Sequence, residues 1–116
     1  MSSRDARAYL HDIIEACGMI RVLLGSSDAD SYHSDLKTRL AIERELITIG
    51  EAVARLAEIE PRMCLEWPVP QRSIVGLRNL LVHGYFTVDD DRVFEIASQQ
   101  VPLLQVAAQR SLDAEG

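Results

Sequence analysis

The stretch from Ala6 to Leu24, ARAYLHDIIEACGMIRVLL, decides the fold. Its apolar residues Ala6, Leu10, Ile13, Cys17, Ile20 and Leu24 recur at steps of four, three, four, three and four. An α-helix turns once in about 3.6 residues, so these side chains stack into one stripe along a helix, and such a stripe must face a core. The spacing predicts a helix over residues 3–24, with Ser2 or Ser3 as its cap and Gly25 as its stop.

The same period recurs downstream. Residues 26–34, rich in Ser and Asp, read as a polar connection, and a second helix follows from about Asp35 to Glu58. It carries two apolar stripes. Leu46, Ile49, Val53 and Leu56 make one; Leu36, Leu40, Ile47 and Ala54 make the other, interrupted by Glu43 and Gly50. A face that wide predicts a core contact plus a subunit contact, and Gly50 predicts close packing of helices. Pro61, Pro68 and Pro70 leave room for one short helical turn and a loop. In that loop Trp67 reads as a lid over one end of the core, or else as an exposed binding aromatic.

A third helix is predicted from about Gln71 to His83, with Ile74, Leu77 and Leu81 inward and Gly84 as its stop. The acidic run Asp89–Asp91 opens a fourth, capped by Thr87 or Asp89. Val93, Ile96 or Ala97, Gln100, Leu104 and Ala107 face inward along it, and Pro102 must kink or divide it. The end from about Ser111 reads as frayed. No segment has a strand's period. The class implied is all-α, an up-down four-helix bundle with a short extra helical turn, over residues 1–116 as one domain.

Composition narrows the function. A 116-residue chain can bury a core without disulfides or metals. Arg, Asp or Glu interrupts every candidate membrane span, and the start lacks a secretory signal, so a cytoplasmic location is expected. Cys17 and Cys64 sit among apolar neighbours and read as buried reduced thiols, while the three histidines lack metal-ligand spacing, so no metal or cofactor is expected. The formal charge of −6 argues against broad coating of nucleic acid but allows a small basic pocket or a basic protein partner.

Chemistry is concentrated in Arg78-Asn79-Leu80-Leu81-Val82-His83-Gly84-Tyr85-Phe86. Arginine grips phosphate in a fork, and imidazole takes or gives a proton near neutral pH. Together they suit cleavage of an RNA phosphodiester by its own 2′-hydroxyl, which needs a base, an acid and positive charge against the phosphorane. Asn79 can donate to phosphate or orient the imidazole. Five residues along an ideal helix separate Arg78 and His83 by about 140° of rotation. Either the helix loosens before Gly84, or two copies meet across a two-fold axis and share composite sites. The second option predicts a homodimer. The structural alternative is that Arg78 and His83 only complement a helix dipole. Glu51 either orients the site or is a core-edge carboxylate paired with an arginine. Arg44, Arg72 and Arg92 read as solvated surface sooner than as an RNA groove. His11 and His33 read as surface residues.

Arg78-x-x-x-x-His83-x-Tyr85 resembles the signature of HepT-type toxins of the HEPN superfamily, all-helical RNases paired with an MNT-type nucleotidyltransferase antitoxin. Leu40–Leu46 followed by Ile49–Ala52 is similar to that family's second helix, and Trp67–Val75, Asp89 and Val101-Pro102-Leu103 follow its layout. The likeness spans residues 36–105; the first helix matches in pattern alone. The resemblance implies an endoribonuclease toxin with Arg78 and His83 as its catalytic pair, acting on RNA and neutralised when the antitoxin adenylylates Tyr85. The competing expectation is a non-catalytic helical module that docks a nucleotidyltransferase or holds a nucleotide or phosphate.

Overall fold

A computed structural model describes residues 3–115 of the chain, with side chains from residue 5 onward. The capping expected of Ser2 or Ser3 falls outside the described residues and side chains. The helices are α1 (Ser3–Leu24), α2 (Ala29–Ser34), α3 (Leu36–Ile59), α4 (Pro61–Leu65) and α5 (Gln71–His83), then a 3₁₀ turn (Tyr85–Thr87), α6 (Asp90–Glu95), a π-helical turn (Ile96–Gln100) and α7 (Val101–Glu115). Among the described residues there is no strand, and no helix is long and apolar enough to cross a membrane.

The bundle is built on α1. Its predicted stripe, from Ala6 to Leu24, is buried throughout, packed on one side against α3 and on the other against α7. Gly25 ends the helix in the left-handed conformation at φ 53°, where a side chain would be strained, and its amide closes back on Arg21. Helix α3 buries Leu46, Ile49, Val53 and Leu56 and lies between α1 and α5. Its other stripe stays outside this core: Leu36 and Leu40 are exposed, and Ile47 and Ala54 are half-buried. Both thiols are buried and free; burial pushes Cys17 up to about 12 and Cys64 up to about 11, so neither is a thiolate at neutral pH.

Four details depart from the pattern-based expectation. Residues 26–34 are not all connection, since α2 forms there. Asp28 accepts from the Ser31 amide while Ser31 reaches back to the Asp28 amide, a reciprocal cap that sets a helix of only six residues. Its one buried side chain, Tyr32, packs against Phe94 at 5.5 Å between ring centroids.

Gly84 does stop α5, but at φ −122°, outside the left-handed region, and the chain passes straight into the 3₁₀ turn. Thr87 belongs to that turn, so Asp89 is the cap of α6, accepting from the Asp91 amide.

The third departure is the π turn ahead of Pro102. Proline lacks an amide hydrogen, and its ring crowds the carbonyl four residues back. The helix widens just before it, and the Val101 amide bonds Ile96 O, five residues back. One extra residue slips the phase. Val101 therefore takes the core position expected of Gln100, which is left half-buried with its side-chain oxygen unpartnered.

Finally, the C-terminal end is not frayed at Ser111. Helix α7 runs to Glu115, Leu112 is buried, and the Trp67 indole N–H donates to Ser111 Oγ at 3.0 Å. Trp67 is thus a half-buried lid, tied down to the last turns of α7.

Candidate active site

Helix α5 carries the motif, and α3 holds one end of it. The two helices cross so closely at Gly50 that a Cβ there would lie 2.3 Å from Arg78 Cβ. Glycine at this position lets the arginine side chain leave α5 directly over the α3 backbone. From there Arg78 Nη2 donates to Glu51 Oε1 at 3.0 Å, and Nη1 donates to Asn79 Oδ1 at 3.1 Å. Its Nε is buried without a partner. The guanidinium is therefore held in a fixed plane, 27% exposed, at the margin of a cavity of about 390 Å³ lined also by Ala54, Arg55, Glu58 and Val75. Both readings of Glu51 meet here: it is a core-edge carboxylate, and its arginine is the motif's own.

His83 sits differently. It is the last residue of α5 and is exposed. The helix does not loosen before it, since α5 is regular to His83 and the Gly84 amide still closes on Leu80 O at 2.9 Å. Arg78 and His83 accordingly leave the helix about 140° apart, and the cavity that takes Arg78 does not include His83. One chain brings Arg78, Asn79 and Glu51 together and keeps the histidine apart.

Tyr85 follows in the 3₁₀ turn, 46% exposed, with Phe86 beside it fully exposed. Behind it lies Glu43 of α3, a carboxylate buried in the bundle. Burial raises the Glu43 carboxyl above its ordinary range, against a hydrogen-bonding effect of Tyr85 that lowers it. In return the Glu43 charge, and then hydrogen bonding to it, raise the Tyr85 phenol. The Tyr32 phenol is raised too, first by burial and then by Glu43, and its hydroxyl is buried without a partner. Asp90 of α6 borders the group, meeting Arg39 Nε at 3.6 Å and His33 Nδ1 at 3.5 Å. Pattern reading treated Glu43 only as a break in an apolar stripe. That break, one carboxylate at a position due to be buried, was the signal for a polar cluster behind Tyr85.

The remaining candidates are peripheral. Arg44 and His11 are exposed; Arg92 is exposed and pairs with Glu95 on its own helix at 3.0 Å. Arg72 is exposed beside Trp67. Among the described residues no group of three or more His, Cys, Asp or Glu side chains has the arrangement of a metal ligand set.

A helical bundle whose central crossing clamps an arginine, on a helix ending in an exposed histidine and followed by an exposed tyrosine, defines an all-α domain of the HEPN kind. Comparison with known proteins narrows the class. The family described as Ribonuclease HepT-like matches residues 13–111. The chain is 34% identical over 106 residues to "Putative RNase MJ1380" of Methanocaldococcus jannaschii, covering 90% of this chain and 94% of that one. It is 30% identical over 102 residues to "Probable ribonuclease HepT" of Thermococcus cleftensis, covering 88% and 91%. No solved structure matches significantly. The chain belongs to the HepT-like ribonuclease family.

Proposed function

We propose that the chain is a metal-independent endoribonuclease, the toxin of a type II toxin–antitoxin pair, acting as a homodimer. One observation carries this reading. Arg78 is held at an open cavity while His83 stands exposed on the far side of the same regular helix. A two-fold arrangement that turns α5 of one copy towards α5 of the other would set each held arginine beside the other copy's histidine. Val82, exposed on α5 between Arg78 and His83 around the helix, and Leu36 and Leu40, exposed on α3, are apolar side chains available for that contact.

The chemistry follows from the groups. The RNA 2′-oxygen attacks phosphorus, forming a 2′,3′-cyclic phosphate as the bond to the 5′-oxygen breaks. His83 takes the 2′-hydroxyl proton while water protonates the departing 5′-oxygen, or His83 supplies that proton while water takes the first. The Arg78 fork holds the non-bridging oxygens and offsets charge as the phosphorane forms; Asn79, hydrogen-bonded to it, fixes its plane. In the presence of a chelator the purified protein should cut RNA to 2′,3′-cyclic phosphate ends, and His83→Ala should lower the rate about 10²- to 10⁴-fold with the fold intact by circular dichroism. Cleavage by His83→Ala at the wild-type rate would overturn the mechanism.

Neutralisation is assigned to Tyr85 and an MNT-type nucleotidyltransferase antitoxin. The Tyr85 oxygen would attack the α-phosphorus of ATP and release pyrophosphate, leaving AMP on the phenol. Its exposure, and that of Phe86, suits approach by another protein. The added bulk and negative charge two residues from His83 would exclude RNA by sterics and repulsion. Co-expression with the partner should add one AMP mass per chain and Tyr85→Phe should abolish it; an AMP addition elsewhere would remove this assignment.

A second reading, a non-catalytic module that docks a nucleotidyltransferase or holds a phosphate, needs no partner histidine: the guanidinium held by Glu51 and Asn79 at its cavity suffices to bind a phosphate. Induction of the chain alone separates the two. Growth arrest that needs both Arg78 and His83 supports the nuclease, and unimpaired growth supports the module.

A further inference from the structure

Two glycines of the bundle interior and surface have different reasons to be there. Gly50 is required by the Arg78 crossing. Gly76, on the exposed face of α5, would meet nothing within 4 Å if it gained a Cβ. No packing calls for it, and glycine in a helix interior costs about 0.5–1 kcal/mol relative to alanine. What lies over Gly76 is a cavity of about 720 Å³ between α5 and the loop that precedes it. Trp67, Gln71, Arg72, Val75 and Asn79 also line it. Val75 and Asn79 belong equally to the smaller cavity that takes Arg78, so the two spaces adjoin across that ridge.

The lining suits a nucleobase. The indole of Trp67 is fixed in orientation by its bond to Ser111 and gives an aromatic wall. The bare backbone at Gly76 leaves room for a planar ring to approach. The Gln71 and Asn79 amides can pair with a base edge, and the exposed Arg72 guanidinium can stack on a base or meet a phosphate. The volume falls within the 300–1,000 Å³ range of small-ligand sites. We propose that this groove is a base-binding subsite for single-stranded RNA, seating the nucleotide next to the phosphate gripped by Arg78. The proposal rests on the RNA-cleaving reading above and adds where the substrate is recognised. It also explains how a chain of net charge −6 can hold RNA, by stacking and local contacts in place of a broad basic face.

Trp67 is the only tryptophan of the chain, so its fluorescence reports on the groove alone. The probe is a 2′-O-methyl RNA tetranucleotide, which has no free 2′-hydroxyl and cannot be cut by the proposed chemistry. Wild-type protein should show saturable quenching. Gly76→Gln puts a good helix former over the groove floor, so it should melt at a higher temperature yet bind the same probe, labelled and followed by anisotropy, at least about tenfold more weakly. Asn79→Ala should weaken binding in the same direction. An absence of quenching in the wild type, or unchanged affinity in a Gly76→Gln protein that folds, would overturn the subsite. Because the probe is not cut, this outcome is independent of the nuclease test: binding without any cleavage of ordinary RNA keeps the subsite and removes the nuclease, and His83-dependent cleavage without quenching does the reverse.

Discussion

The two ends of the motif on α5 are opposites. At Arg78 the helix backbone is pressed against α3, the guanidinium is bonded to Glu51 and Asn79, and most of the side chain is covered. Five residues on, His83 stands in solvent at the helix end, and Tyr85 and Phe86 behind it are exposed in a three-residue turn. Phosphate-binding geometry can be built into a monomer because a guanidinium fork is rigid and can be locked by packing. The difference teaches that packing fixes one end of the motif within the chain and leaves the other end unfixed; the proposed dimer would supply what the exposed end lacks.

Of the three changes that probe this contrast, the largest effect should come from breaking the held end chemically. Arg78→Lys keeps the charge but loses the two-pronged fork, so cleavage should fall about 10²- to 10³-fold. Stability should move by less than about 1 kcal/mol, because the Glu51 partner is 56% exposed and such pairs contribute little. Rate measurements alongside chemical denaturation separate the two. Next comes the crossing itself. Gly50→Ala inserts a methyl where Arg78 Cβ already lies, forcing α3 and α5 apart, and should cost about 1–3 kcal/mol in thermal or urea unfolding as well as lowering cleavage.

The smallest effect sharpens the open end. Burial raises the Glu43 carboxyl above its unfolded value. The folded chain therefore holds that proton more tightly, and stability is lost as pH rises through the folded value. Glu43→Gln removes that loss, so the variant should melt above the wild type at neutral pH and converge with it in acid, where both side chains are neutral. Parallel melting curves across the pH range would show that Glu43 is not disfavoured in its charged form.

How much of this was legible in the sequence depends on how local each cause is. Helices α1 and α5 were readable to the residue because an apolar stripe and a glycine stop are both local signals. Helix α2 was not, since six residues carry no period and its stability comes from the Asp28–Ser31 cap and one buried ring. The π turn was half legible: Pro102 announces a disruption, but only packing decides that the slack is taken as one extra residue, moving Val101 into the core in place of Gln100. At the site, residue type flagged Arg78, His83, Asn79 and Tyr85. The close helix packing expected of Gly50 is there, and the Glu43 break in the stripe was a signal; that the crossing partner is Arg78, and that Glu43 lies behind Tyr85, depend on which face of α3 meets α5 and the 3₁₀ turn, and no spacing rule supplies that.

Mixing two inactive variants tests the shared site most directly. Arg78→Ala and His83→Ala chains, unfolded together and refolded at equal amounts, should pair at random. If each site takes its arginine from one copy and its histidine from the other, mixed dimers regain one intact site, and the mixture should recover about a quarter of wild-type cleavage. No recovery above either variant alone, with mixed dimers shown by mass to have formed, would contradict it.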